Sequence, residues 1–275
     1  MKVMVPIDFS ETAMCALKTG IAIANKLKSD LRIVYVAPKE FAAGYEDSPS
    51  SVEDAKSRLE KLVFHSQSLY YGKGKFDFKI RTGNTAQELI NQSKYDDTTI
   101  IVMGSHGVSG ITESWIGGNA YKMICNAPCP ILVIRPDMKY DVNFRRIVIP
   151  VEISKSSRYK IPVVAGVAKL FGAKAIVVGI QTTGFKSIFT RISMSVRQVA
   201  KYLTSRANVE VEKTAMLVGK DTTGKLLEIV RDSKVDMLAI DVTNTGTFIT
   251  DRFRPFLITL VNESHCPVLA IPIKE

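Results

Sequence analysis

The residues best placed to do chemistry lie in Gly104-Ser105-His106-Gly107-Val108-Ser109-Gly110 and, further on, Gly117-Gly118-Asn119. Glycines let a ligand approach the backbone closely and tolerate positive φ. A loop of this kind that opens a helix turns several N–H groups toward one point, and the helix dipole favours negative charge there. The chemistry offered is the cradling of an anion such as a phosphate. Glycine content alone is a weak signal; the order Gly-x2-Gly-x9-Gly-Gly-Asn behind a buried strand is a more specific one.

Other chemistry-bearing residues fit poorly. Gly219-Lys220-Asp221-Thr222-Thr223-Gly224-Lys225-Leu226 nearly spells a P-loop, but Leu226 stands where a hydroxyl must reach magnesium. It reads as an ordinary strand-to-helix turn. His65, His106 and His265 share no metal-ligand spacing, and none has an evident Ser or Cys partner for nucleophilic catalysis. His106 either touches a ligand or packs the turn, and Trp115 packs the loop. Cys125 and Cys129 lack a second Cys/His pair that would complete a zinc site. Cys129 and Cys266 each precede a proline and an apolar strand, and read as buried thiols rather than a redox switch.

The elements that position these residues occur twice. Val3-Met4-Val5-Pro6-Ile7-Asp8-Phe9-Ser10 matches Ile147-Val148-Ile149-Pro150-Val151-Glu152-Ile153-Ser154, and Cys129-Pro130-Ile131-Leu132 matches Cys266-Pro267-Val268-Leu269. Two copies of nearly equal length follow, expected as domains at 1–138 and 142–275 around the turn-rich segment 137–141. In each copy apolar runs alternate with helical patterns, which implies α/β architecture: an open parallel five-stranded sheet with helices on both faces. First-copy strands are expected at 2–7, 31–37, 76–82, 98–103 and 131–135, with helices near 11–27, 51–70, 84–95 and 113–126. Ser50 and Glu53 have capping-box spacing at the second helix. Second-copy strands are expected at 146–151, 174–180, 208–217, 236–241 and 268–272. Ligands of such sheets sit beyond the carboxyl ends of the strands, where strand order switches.

Composition suits a globular chain: 46% hydrophobic and 23% charged residues, with no apolar stretch of membrane-spanning length. The first residues are too briefly apolar for a signal peptide, so the expected location is cytoplasmic. The net charge of +10 is uneven. Residues 1–140 hold 17 Lys and Arg against 15 Asp and Glu, whereas residues 141–275 hold 20 against 12. The second half suits an acidic partner, although a solvated basic face is the default reading. The same holds for Gly184 to Arg206, a basic amphipathic helix whose default reading is a solvated face rather than a membrane-surface one.

The chain resembles the universal stress proteins, in a tandem two-domain form, through Val5-Pro6-Ile7-Asp8-Phe9-Ser10-Glu11, Met103-Gly104-Ser105-His106-Gly107 and Asn126-Ala127-Pro128-Cys129-Pro130-Ile131-Leu132-Val133-Ile134. The resemblance implies a Rossmann-like fold and a stress-response regulator that binds ATP or another adenine nucleotide. Any magnesium would arrive with the phosphates. Asp8, flanked by Pro6 and Ile7, and Val36 would meet adenine; Met103, Gly104, His106, Gly107, Gly110, Gly117, Gly118 and Asn119 would line the ribose and phosphate end. The resemblance also implies a pseudo-dimer of the two halves through Ile131–Arg135 and Val268–Pro272, and leaves a homodimer open.

ATP-binding relatives usually carry Ser or Thr directly after the last motif glycine; here Gly118 and then Asn119 stand there. The second copy departs further. Its register sets Asp241 opposite Gly104, Asn244 opposite Gly107 and Arg254-Pro255-Phe256 opposite Gly117-Gly118-Asn119, while Glu152 replaces Asp8. One nucleotide site, in the first half, is therefore expected, and no enzymatic activity. The alternatives are a nucleotide-independent interaction scaffold with a vestigial loop, and a slow ATP hydrolase or ATP-pyrophosphatase relative with Asp8 as its one candidate base.

Overall fold

A computed structural model describes residues 1–41, 48–106, 116–136, 138, 142–153, 156–243 and 253–273. The chain divides into two units, Met1–Asp137 and Met138–Glu275.

The first unit runs β1 (Lys2–Pro6), α1 (Glu11–Leu27), β2 (Asp30–Ala37), α2 (Val52–Ser66), a 3-10 turn (Gln67–Leu69), β3 (Phe76–Thr82), α3 (Thr85–Tyr95), β4 (Ile100–Gly104), α4 (Gly118–Asn126) and β5 (Ile131–Ile134). Its strands are all parallel in the order β3-β2-β1-β4-β5. The chain therefore winds outward from β1 through β2 to β3, then returns to lay β4 and β5 on the other side. The switch in order falls between β1 and β4, where the carboxyl ends of the strands leave a crevice.

Local sequence explains these elements. Val3, Met4, Val5, Ile101 and Val102 have no exposed surface, as two-sided burial of a parallel sheet requires. Ser10 caps α1 by accepting from the Ala13 N–H at 3.2 Å, and Lys28 ends it in the left-handed region at φ 50°. The stripe Ala13, Ala16, Leu17, Ile21 and Ala24 lies at helical spacing and is buried. Leu17 and Ile21 each contribute about 1.5–3 kcal/mol by that burial. The helix lies so close to the sheet that a Cβ on Gly20 would collide with Val5 Cγ2, so glycine is required there.

Two expected boundaries shift. The cap of α2 is Ser51, which accepts from the Asp54 N–H at 3.1 Å, while Asp54 accepts from the Ser50 N–H at 2.9 Å. The cap is therefore one residue later than Ser50 and Glu53, a register that also places Ala55 and Leu59 on the buried face. The last helix begins at Gly118 rather than 113; residues 116–117 are not helical, and 113–115 lie outside the described residues.

Charge in this unit gathers at the opposite, amino end of the sheet. Arg32 grips Asp77 with two bonds of 2.6 and 2.7 Å and reaches Asp96 at 2.6 Å, while Lys2 and Gln92 also donate to Asp96. Burial alone would raise the Asp96 carboxyl, but the Gln92 and Lys2 hydrogen bonds and the Arg32 charge outweigh it and hold it below the usual carboxylate range.

The second unit repeats the plan: β6 (Arg146–Val151), α5 (Ser156–Phe171), β7 (Lys174–Gln181), α6 (Lys186–Ser205), β8 (Val211–Val218), α7 (Thr222–Asp232), β9 (Met237–Thr243), α8 (Phe253–Glu263) and β10 (Val268–Ile273). Its parallel order is β8-β7-β6-β9-β10. Equivalent residues can be read from the hydrogen bonds. Gly83 donates to the Ala37 carbonyl at 3.1 Å and Gly219 to the Gln181 carbonyl at 3.0 Å, both glycines at positive φ (137° and 125°). Gly104 pairs with Ile134 and Asp241 with Ile271, so the expected alignment of Asp241 with Gly104 holds in the backbone. Expected strand limits in this unit agree within a residue, except that β8 starts at 211 rather than 208 and β9 ends at 243 rather than 241.

Candidate functional site

At the carboxyl ends of β1, β2 and β4 lies a cleft of about 430 Å³. Of the residues expected to meet a nucleotide, Pro6, Ile7, Asp8, Val36, Met103, Gly104, His106, Gly117, Gly118 and Asn119 all line it. Gly107 and Gly110, like Trp115 and Asn244, lie outside the described residues. Side chains from three separate strand ends and one helix start thus converge on one hollow.

The base of the cleft is held by a tight turn after β1. Phe9 adopts a left-handed φ of 67°, unusual for a bulky residue, and its ring packs 5.6 Å from that of Tyr35. This kink turns Asp8 back over the start of α1, where its Oδ1 accepts from the Ser10 N–H at 3.1 Å and the Ser10 hydroxyl at 2.6 Å. Ser10 is itself the helix cap, so the Asp8 carboxylate is oriented by the same residue that begins α1. Burial, then the Asp8 and Asp54 charges against that of Arg58, raises the Tyr35 hydroxyl.

The other end is built of backbone. A Cβ on Gly104 would stand 2.6 Å from Thr12 Cγ2 and 3.2 Å from the His106 carbonyl oxygen. Gly117 donates to the Ser105 carbonyl at 2.9 Å, and a Cβ on it would come within 3.2 Å of that same oxygen. A side chain at 104 would collide and one at 117 would be crowded, because the strand end and the start of α4 press together. Gly118 differs: among the described residues, a Cβ there would meet nothing within 4 Å. It and Asn119 are exposed at the opening of α4, whose first N–H groups have no partner within the helix. An anion at this end would meet those donors and the positive end of the helix dipole.

The structure adds residues that the sequence reading passed over. Tyr35, Glu40, Phe41, Pro49 and Leu89 also line the cleft, and Glu40 gives it a second carboxylate besides Asp8. Glu40 and Phe41 follow directly on β2, so the rule that ligands sit beyond strand ends points to them; Leu89 is indistinguishable from core in sequence. Ser105 corrects one expectation. Its hydroxyl lies 2.8 Å from His106 Nδ1, so His106 does have a serine partner. Ser105 has no exposed surface, although it belongs to the wall of the cleft, and we read the pair as a brace for the turn.

The equivalent place in the second unit is filled by charge. Lys160, 2% exposed, reaches from α5 to form an ion pair with Asp241. Glu152, the counterpart of Asp8, stands near both. Its side chain reaches solvent, yet desolvation by the surrounding protein, followed by the Asp241 charge, raises its carboxyl against the pull of Lys160. β9 continues two residues past Asp241, pairing Val242 and Thr243 with Pro272 and Ile273, where the first unit has already left its strand. α8 begins at Phe253, so Pro255 lies in its first turn and deletes one of the donors that α4 presents. Gln181, in the place of Ala37, is buried and turns its amide onto the Thr183 and Phe185 carbonyls.

The near P-loop is a capped turn. Asp221 accepts from the Gly224 N–H at 2.9 Å, which sets a carboxylate on the start of α7, and Lys225 turns back to the Val218 carbonyl at 3.3 Å. Cys125, Cys129 and Cys266 are buried, and burial pushes the Cys266 thiol up to about 12.

Comparison with known proteins agrees with this architecture. A model of the universal stress protein family matches residues 1–135. The universal stress protein YxiE of Bacillus subtilis is 23% identical over 155 residues, spanning 49% of this chain and 98% of its own length. The universal stress protein MJ0531 of Methanocaldococcus jannaschii is 26% identical over 149 residues, spanning 50% of this chain and 84% of its own. In three dimensions, a universal stress protein from Archaeoglobus fulgidus superimposes with a TM-score of 0.78 at 16% identity, covering 98% of both chains. That likeness extends the shared fold over the second unit. Residues 1–135 therefore form a domain of the universal stress protein family, carried in tandem with a second domain of the same fold.

Proposed function

We propose that the first domain binds one adenine nucleotide in its cleft and that the protein is a non-enzymatic stress-response regulator responding to that ligand. The observation that carries this reading is the convergence of Asp8, Val36, Gly104, Gly117 and Gly118 on a single hollow at the switch in strand order. Asp8, oriented by Ser10, suits the amino edge of a purine, and the α4 opening suits phosphate. The residues fit a phosphate by backbone alone: the glycines at 104 and 117 close the approach, and Gly118 leaves the helix start uncovered. We read Asp8 as a binding group rather than a general base; loss of ATP turnover in an Asp8→Ala protein would refute the non-enzymatic part. The Lys160–Asp241 pair makes the second cleft hostile to phosphate.

Gly118→Ser tests the phosphate end. The space beyond Gly118 accepts a side chain, and a hydroxyl there adds one neutral hydrogen bond, worth about 0.5–1.5 kcal/mol. Calorimetric titration with ATP should show affinity rising roughly 2- to 12-fold. Unchanged or weaker affinity would mean that the phosphates lie elsewhere.

A further inference from the structure

From residue 153 to residue 209 the chain has ten lysines and arginines and no aspartate or glutamate. Lys160 is consumed by Asp241, and Lys174 pairs with Glu210. On α6 the remaining charge is unopposed: Lys186, Arg191, Arg197 and Lys201 are exposed, and none meets a carboxylate among the described residues. Ile192, Ser195, Val196, Val199 and Leu203 seat α6 on its sheet. That stripe turns Lys186, Arg197 and Lys201 outward together, with Met194, 54% exposed, among them.

The same face carries apolar groups that a merely solvated helix has no use for. Phe185 is 67% exposed and Phe189 42% exposed, at the entry to α6. Phe185 is held in place rather than left loose: its carbonyl accepts from Gln181 at 3.0 Å and from the Ile188 and Phe189 N–H groups at 3.1 Å. Further along α6, where it faces α5, runs a separate groove of about 190 Å³ walled by Ile161, Pro162, Val199 and Tyr202 together with Arg158, Ser195 and Gln198.

We propose that α6 and the α5–α6 groove form a peripheral docking face for an anionic lipid bilayer. Lys186, Arg191, Arg197 and Lys201 would lie against headgroup phosphates, with Phe185, Phe189 and Met194 entering the boundary between headgroups and acyl chains. Charge complementarity selects an anionic partner, and the exposed aromatic and thioether groups select one with an apolar interior. A groove walled mainly by aliphatic and proline carbon suits an acyl chain better than the polar edge of a nucleic-acid base. No helix among the described residues is long and apolar enough to cross a membrane, so the association is at the surface.

The test is co-sedimentation of the full chain with vesicles of phosphatidylcholine alone and of phosphatidylcholine mixed with phosphatidylglycerol. Binding is expected to the mixed vesicles only, and to weaken with salt. A K186E/R197E/K201E variant should lose at least about 100-fold in partitioning, and F185S/F189S several-fold; all five side chains are exposed, and circular dichroism checks the fold. The proposal is overturned by no binding to anionic vesicles at low salt, or by equal binding to phosphatidylcholine alone. It is also overturned if random-sequence single-stranded RNA binds more tightly than the vesicles, or if F185S/F189S converts a dimer to a monomer and leaves vesicle binding intact.

Discussion

Gly104→Asp should abolish nucleotide binding by the first domain. The substitution places in the first cleft the carboxylate that Asp241 places in the second, at the same point of the sheet register. Two effects add. Any Cβ at 104 meets Thr12 Cγ2 at 2.6 Å, so the strand end or α1 must shift, an overpacking cost of about 1–3 kcal/mol in stability. The new negative charge then faces the phosphates. At a separation of about 4 Å and an effective dielectric of about 20, like charges repel by about 4 kcal/mol. The expected loss in ATP affinity is at least about 100-fold by calorimetry. Gly104→Ala separates the terms, since it brings the clash without the charge and should lose much less affinity. If the Asp variant remains folded and binds as the parent does, the phosphates do not lie at the end of β4.

Asp241→Ala should strongly destabilise the second domain. Lys160 is 2% exposed, and its ammonium is paired with Asp241 across the end of β9. Removing one member of a buried pair leaves the other charge uncompensated, at a typical cost of about 3–5 kcal/mol. Glu152 also lies near this pair, and it has its own desolvation to overcome. The double variant Lys160→Met/Asp241→Ala removes both charges and should recover most of the loss, because the pair itself is worth little net. Urea denaturation followed by fluorescence or circular dichroism measures both. A double variant less stable than Asp241→Ala would mean that Lys160 is held mainly by its packing.

Much of this arrangement was readable from residue order, and the parts that were not share a physical reason. The Cys-Pro strands anchor both copies, so counting back from Cys266 sets Asp241 opposite Gly104, and the ladder agrees, although β9 runs two residues further. Asp8, Val36 and the loop glycines follow strand ends, which is where open parallel sheets put ligands. Lys160 was missed because its partner lies 81 positions away. A faint signal existed: Lys160 stands four residues before Val164, on the stripe that Ala165 and Ala168 continue, so it is a charged residue on a buried helical face. The Ser105–His106 brace was missed because adjacent residues in a loop carry no spacing pattern. The α2 cap moved by one residue because Ser50 and Ser51 are chemically equivalent, and only the burial of Ala55 and Leu59 decides between them.

The two clefts differ in what they can hold, and the most direct test of that asymmetry is the stoichiometry of nucleotide binding. Isothermal titration of the full chain with ATP and with AMP, each with and without magnesium, should give one site per chain, lost in Gly104→Asp and retained in Lys160→Met/Asp241→Ala. Two sites per chain, or none at millimolar nucleotide, would contradict it.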